Sequence, residues 1–182
     1  MTMCSDTTIA AIATPMGQGG IGVIRISGPL AKTIAKHITH KDLTPRQATF
    51  STFQSSNQQS LDEGIALFFK GPYSFTGEDV VELQGHGGMA VLQQVLDAVI
   101  QAGAVMARPG EFSERAFLNG KMDLVQAEAI SDLINSASAK AAKAAIKTIS
   151  GEFSFEVDKI TSSINRLRIF VEANLDFPDD EI

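Results

Sequence analysis

Phe75-Thr-Gly-Glu-Asp-Val-Val-Glu-Leu-Gln-Gly-His-Gly-Gly88 is the stretch whose reading decides the fold. Asp79 to Gln84 is β-branched and mostly apolar, which predicts a short strand. The glycines behind it predict a turn that opens a helix at Met89. Glu82 stands in the middle of the strand. A carboxylate in a half-buried strand needs a partner or a ligand, because desolvating it alone costs several kcal/mol. Glycines let a backbone come close to something, and the N-terminus of the following helix offers free N–H groups. Together these features predict a small-molecule pocket.

Outward from this stretch, the first two thirds of the chain alternate strand and helix signals. Thr8 to Thr14 and Ile21 to Ser27 read as strands around a turn at Pro15 to Gly20, and Pro29 to Ile38 as a short helix. Ala48 to Phe53 and Leu61 to Lys70 form a hairpin-like pair across a Ser/Asn/Gln-rich connection. Met89 to about Gln101 is a helix stopped by Gly103, Ala104 to Arg108 a short strand, and Glu111 to Leu118 a helix stopped by Gly120. The expectation is an α+β fold, an N-terminal mixed β-sheet domain with packed helices spanning residues 1–120.

Residues 121–182 change character. Asp123 with Gln126 is a capping-box start. Ala127, Ile130, Ile134, Ala137, Ala141, Ala144 and Thr148 recur at spacings of three and four, a seam of small residues suited to close helix packing. Ser150-Gly151 breaks it, and Phe153, Val157, Ile160, Ile164, Leu167 and Val171 form a second seam. Two helices of about 25 residues, each roughly 35–40 Å long, would make a long antiparallel helical hairpin. Such a hairpin buries little alone and calls for further helices. Pro178 ends the second helix and the acidic residues after it read as the start of another element, so the chain is expected to be a piece of a longer protein.

Composition narrows the class. The 182 residues are 44% hydrophobic and 20% charged, as in soluble globular proteins, with net charge −6. That charge argues against broad nonspecific nucleic-acid binding, though a local basic patch remains open. The single cysteine, Cys4, allows neither an internal disulfide nor a cysteine zinc site, which fits a reducing cytoplasm. Residues 1–9 are polar and do not read as a signal peptide, and the apolar runs are too short and interrupted to span a membrane.

Gly17-Gln-Gly-Gly-Ile-Gly22 matches G-x-G-x-x-G, but a dinucleotide fold needs a helix to open there. Val23-Ile24-Arg25-Ile26 follows instead, so the motif reads as a tight strand-to-strand turn. Arg25 is either an arginine with a packed stem and a solvated head or a guanidinium held ready for a carboxylate or phosphate. With Glu82 on another strand, the two pair with each other or with opposite ends of one ligand. His86 hydrogen-bonds a ligand or steadies its turn. Lys121 stands where the two regions meet. The histidines show no metal-ligand spacing, and no G-x-S-x-G, H-E-x-x-H or G-x-x-x-x-G-K-[ST] motif is present.

These segments, taken in order, carry a resemblance that covers the whole chain. Ala13 to Gly28, Ser74 to Gly88, Arg108 to Asn119, Lys121 to Ile130 and Asp176-Phe-Pro178 resemble the MnmE (TrmE) family of tRNA modification GTPases. The resemblance implies an N-terminal domain that binds a tetrahydrofolate derivative, 5-formyl- or methylene-tetrahydrofolate, and forms a homodimer. It implies a helical domain interrupted in the full protein by a GTP-binding domain that uses Mg2+ and K+. It also implies a flavin-dependent partner, MnmG, with which the family modifies C5 of the wobble uridine of certain tRNAs in the cytoplasm. The family's folate contacts fall here on Arg25, Glu82 and Lys121. A pterin edge has adjacent N–H donors suited to Glu82, and the folate carboxylates suit Arg25 and Lys121. No catalytic residue and no metal ligand is expected within this chain. Gln18 stands where the family commonly has arginine, which predicts weaker binding at that point. Two other readings stand beside this one: a stand-alone folate-dependent transferase, for which His86 is the one acid–base candidate, and a structural dimerisation module with a vestigial pocket.

Overall fold

The computed structural model describes residues 6–15, 17 and 19–176. The readings made on Cys4, on position 18, on the turn residue Met16 and on the acidic segment 177–182 lie outside the described residues. The chain forms two compact units, one ending at Lys121 and the other beginning at Met122.

In chain order the first unit contains β1 (Ile9–Ile12), β2 (Gly19–Ser27), α1 (Ala31–Thr39), β3 (Thr49–Gln54), β4 (Ser60–Phe69), β5 (Val80–Gly87), α2 (Met89–Gln101), β6 (Val105–Met106) and α3 (Glu111–Leu118). The strands make one six-stranded sheet in the order β3-β4-β5-β2-β1-β6. It is mixed, because β6 runs parallel to β1 while the other neighbouring pairs are antiparallel. β3 and β4 form the expected hairpin, with Thr49 opposite Ala66 and Phe53 opposite Asp62.

Period-two alternation sorts the side chains between the two faces. Ile24, Ile26, Val81, Leu83, Ala66, Phe68 and Phe53 are buried in one core with Ile34, Ala35 and Ile38 of α1 and Leu92, Val95, Leu96 and Val99 of α2. Arg25 and Glu82 occupy the alternate positions of β2 and β5 and are half-buried. The glycine stretch differs from its expected form: β5 continues through Gly87 rather than turning after Gln84, and β2 already begins at Gly19. Gly22 also makes a close approach to the fold itself. A Cβ there would stand 2.6 Å from both methyl carbons of Leu92, so its lack of a side chain lets α2 settle on β2.

The second unit contains α4 (Leu124–Ile134), α5 (Ala139–Ile149) and α6 (Glu152–Asp176). The capping box forms as read: Asp123 accepts from the Gln126 N–H while the Gln126 side chain accepts from the Asp123 N–H. The first long helix, however, is two helices. Asn135 closes α4, and the Ser138 hydroxyl accepts from the Ala141 N–H to cap α5. Side chains that compete for backbone hydrogen bonds thus stop a seam whose apolar spacing runs straight through them. α6 does reach 25 residues, and its seam from Phe153 to Val171 is exposed.

Candidate functional site

Arg25 and Glu82 are direct cross-strand neighbours on β2 and β5. The guanidinium donates from Nε at 3.0 Å and from Nη2 at 2.7 Å, both to Glu82 Oε1. The two side chains keep 27% and 17% of their exposure, so the pair lies at the surface of the sheet rather than sealed within it. Because both donors converge on one oxygen, Glu82 Oε2 receives no protein hydrogen bond among the described residues. The Arg25 guanidinium carbon lies 5.2 Å from the ring centre of Phe75 and 5.8 Å from that of Phe112, within cation–π range of both. Of the two pairings left open for these residues, the protein makes the one between themselves, and leaves one carboxylate oxygen without a protein donor among the described residues.

Lys121 does not meet that pair directly. Its Nζ donates to the Pro72 carbonyl at 2.9 Å, and its N–H to the Ala116 carbonyl at 2.8 Å. Its aliphatic stem runs beside Gly77, where a Cβ would stand 3.3 Å from Lys121 Cγ and Cδ. Gly77 has φ +79, in the left-handed region that glycine tolerates. The loop of residues 71–78 is therefore the link between the candidates: Pro72 and Gly77 hold Lys121, and Phe75 lies against Arg25.

A buried network fixes this loop, and its two central residues carried no sequence reading. Glu78 and Arg115 are each 6% exposed. Arg115 Nη1 lies 3.2 Å from both Glu78 oxygens and donates at 2.8 Å to the Thr7 carbonyl, while Nη2 donates to Glu111 Oε1 at 3.1 Å. The Ser27 hydroxyl, two residues beyond Arg25 on β2, donates to Glu78 Oε2 at 2.7 Å. Asn119 donates from Nδ2 to the Thr76 carbonyl at 2.8 Å, and its Oδ1 is buried without a hydrogen-bond partner. β2, the loop and α3 are locked together by these groups, so Arg25, Phe75 and Phe112 share one frame. Burial pushes the Glu111 carboxyl upward, but hydrogen bonds from the Arg108 N–H and from Arg115 outweigh it and leave its pKa lowered.

His86 finds its partner within the sheet. Asp62 Oδ2 accepts from the His86 N–H at 2.7 Å, and Asp62 Oδ1 lies 2.6 Å from the ring Nδ1. The pairing favours the charged form of both groups. It raises the His86 pKa, and the hydrogen bonds from His86 outweigh burial to lower that of Asp62. Among the described residues there is no cluster of three or more His, Cys, Asp and Glu side chains able to hold a metal ion. None of the described helices is long and apolar enough to cross a membrane.

The family comparisons agree with the two-unit structure. Residues 8–121 match the family model for the GTP-binding protein TrmE N-terminus, and residues 124–182 match the MnmE helical domain. A protein of Saccharophagus degradans named tRNA modification GTPase MnmE is 56% identical over 182 residues, covering 100% of this chain and 40% of the relative. Its namesake in Pseudomonas fluorescens is 58% identical over 175 residues, covering 96% of this chain and 38% of the relative. That of Mannheimia succiniciproducens is 54% identical over 181 residues, covering 99% and 40%. The chain thus spans about two fifths of the length of the curated relatives it matches. With both of its units matched in order and more than half of its residues shared with these relatives, the chain belongs to the MnmE (TrmE) family of tRNA modification GTPases.

Proposed function

We propose that the first unit is a tetrahydrofolate-binding, dimerising domain, and that it serves a tRNA modification GTPase of which the second unit begins the helical domain. The observation that carries this reading is the undonated half of the Glu82 carboxylate. Its Oε1 is satisfied by Arg25, while Oε2 has no protein donor among the described residues on a half-buried sheet face. That leaves an acceptor for an N–H of an aminopyrimidinone edge. Arg25 fixes the carboxylate in place and keeps its remaining donors for an acidic tail. Lys121, whose ammonium meets only a carbonyl among the described residues, adds a second cation for that tail. The bound folate would supply the one-carbon unit. Phe75 and Phe112 hold the guanidinium from sliding off the carboxylate.

The GTP site with its Mg2+ and K+ is assigned to the part of the family's length that this chain does not span, and MnmG and tRNA are partners of the full-length protein. Work on the wobble uridine in the cytoplasm is part of the same proposal; the relatives' name supports tRNA modification, and a chain with one cysteine, able to form no internal disulfide, is compatible with a reducing compartment.

Calorimetry with 5-formyl-tetrahydrofolate tests the site. Arg25→Ala and Glu82→Ala should each weaken binding by more than about tenfold, since a lost charge-assisted hydrogen bond is worth about 1.5–3 kcal/mol. Unchanged affinity in both variants removes the assignment. Light scattering coupled to gel filtration should show a dimer, and a monomer at high concentration contradicts the second half of the reading.

A further inference from the structure

A second concave site lies on the same sheet face, four residues further along β5. A cavity of about 390 Å³ opens between β2, β3, β4 and β5, within the size range of small-ligand sites. Ile21, Phe50 and Ile65 provide its apolar walls, and Ile21 and Phe50 stand 71% and 62% exposed. Glu63, Gln84 and His86 provide its polar edge.

The histidine is mounted rather than free. Asp62 holds its backbone N–H with one oxygen and its ring Nδ1 with the other, and the Asp62 side chain is only 9% exposed. With Nδ1 engaged by a carboxylate, Nε2 is the nitrogen left for an incoming group. Gly85 makes room for this arrangement, because a Cβ there would stand 2.2 Å from Asp62 Oδ2. Alternation along β5 puts Glu82, Gln84 and His86 on one face. The His86 backbone is therefore roughly 13 Å along the strand from that of Glu82.

Charge narrows what fits. Among the described residues the cavity's lining contains no lysine or arginine. β4 brings Asp62 and Glu63 toward the imidazole, while β2 and β3 bring only Gly20, Ile21 and Phe50. Lys41 donates to the Phe50 carbonyl. An anion is disfavoured in this setting. A flat, neutral group rich in N–H donors is favoured: it can lie against Phe50 and Ile65 and present its edge to Glu63, Gln84 and His86.

We propose that this cavity is a ligand subsite for a planar N–H-rich heterocycle, with the Asp62-held His86 as its proton-exchanging contact. The exchange is a plain transfer. In the charged ring the Nε2–H bond breaks as a ligand ring nitrogen takes the proton, Asp62 keeps its hydrogen bond to Nδ1–H, and the reverse step returns the proton to Nε2. The heterocycle is shared chemistry of two sources, a guanine-type nucleobase and a reduced pterin. The second source rests on the folate reading given above, and the first does not.

The test is a nitrogen-15 NMR titration of the histidine rings in the 182-residue chain, with guanosine, 5-formyl-tetrahydrofolate and inorganic phosphate as probes. Guanosine or the folate should shift the His86 Nε2 resonance saturably, and phosphate should not. A response to guanosine alone names a nucleobase site, and a response to the folate alone names a pterin site. No response to either, or an equal response to phosphate, overturns the proposal. In His86→Gln, which hydrogen-bonds but does not titrate, probe affinity should become flat between pH 6 and 8 while wild type varies. An unchanged pH profile overturns the proton exchange. Arg25→Ala separates the two sites. If it abolishes folate binding and leaves the His86 response to guanosine intact, the subsite is independent. If folate affinity is unchanged in Arg25→Ala and Glu82→Ala while His86 still responds, the folate site assignment fails and the subsite stands.

Discussion

Arg115 Nη1 lies 3.2 Å from each carboxylate oxygen of Glu78, with both side chains out of solvent. The two partners are not equally provided for. Arg115 also has Glu111 and the Thr7 carbonyl, whereas Glu78 has in addition, among the described residues, only the Ser27 hydroxyl and its own loop. Removing the arginine therefore strands a buried charge, and removing the charge of Glu78 does not. Arg115→Met should cost about 3–5 kcal/mol, the range for breaking a buried pair from one side, and Glu78→Gln distinctly less. Urea unfolding midpoints of the two variants measure the difference. Equal losses would mean that Glu111 and Thr7 contribute nothing to holding the guanidinium.

The contact between Arg25 and Glu82 is open to a swap. If it served stability alone, the double variant Arg25→Glu with Glu82→Arg would restore what each single reversal loses. Under the folate reading, stability recovers in the double variant while 5-formyl-tetrahydrofolate affinity stays more than about tenfold down, because the acceptor now stands where the donor belongs. Thermal melts and calorimetry on the same samples report the two quantities. Recovery of both together would reduce the pair to a structural ion pair.

Gly77 lies against Lys121, and a side chain there meets tight contacts. Its φ of +79 and the 3.2 Å approach of a Cβ to Asn119 Cβ act in the same direction. Gly77→Ala should cost about 1–2 kcal/mol from the left-handed backbone alone. It should also push the Lys121 stem aside, lowering folate affinity further than the stability loss accounts for. A chemical-denaturation curve paired with a binding isotherm checks this, and a stability loss with unaltered affinity would detach Lys121 from the site.

What could be read in the sequence divides along physical lines. Ile24, Ile26, Val81 and Leu83 announce strands because burial on one face imposes alternation. Arg25 and Glu82 were legible because a charged residue within such an alternation needs a reason. The Glu78–Arg115 pair was not, since its members are 37 positions apart and each sits among polar neighbours that mask it. Asp62 and His86 are 24 positions apart, and only the pairing of β4 with β5 joins them. The break between α4 and α5 had a local signal in Asn135 and Ser138, but the small-residue spacing through Ala137 outweighed it. Periodicity records what is buried, whereas caps and ion pairs depend on single side chains.

The capping box of α4 gives a prediction in pH. A hydrogen bond from the Ser154 hydroxyl, and after it the Gln126 N–H, lower the Asp123 pKa in the folded chain. A lowered folded value means stability present above the unfolded value, about 3.9, and lost as pH falls through the folded one. Asp123→Asn keeps an acceptor for the Gln126 N–H but cannot titrate. At pH 7 it should be less stable than wild type by about 0.5–1 kcal/mol, the worth of an anion at a helix N-terminus. That difference should shrink as pH drops below about 3.9. Asp123→Ala, which has no acceptor, should cost about 1 kcal/mol at neutral pH. Far-ultraviolet circular dichroism during urea unfolding, repeated from neutral to acid pH, follows both variants. Since the carboxyls of Asp62 and Glu111 titrate alike in all three proteins, only the difference from wild type reports on Asp123. A gap between wild type and Asp123→Asn that stays constant into acid would show that the charge on Asp123 contributes nothing to its cap.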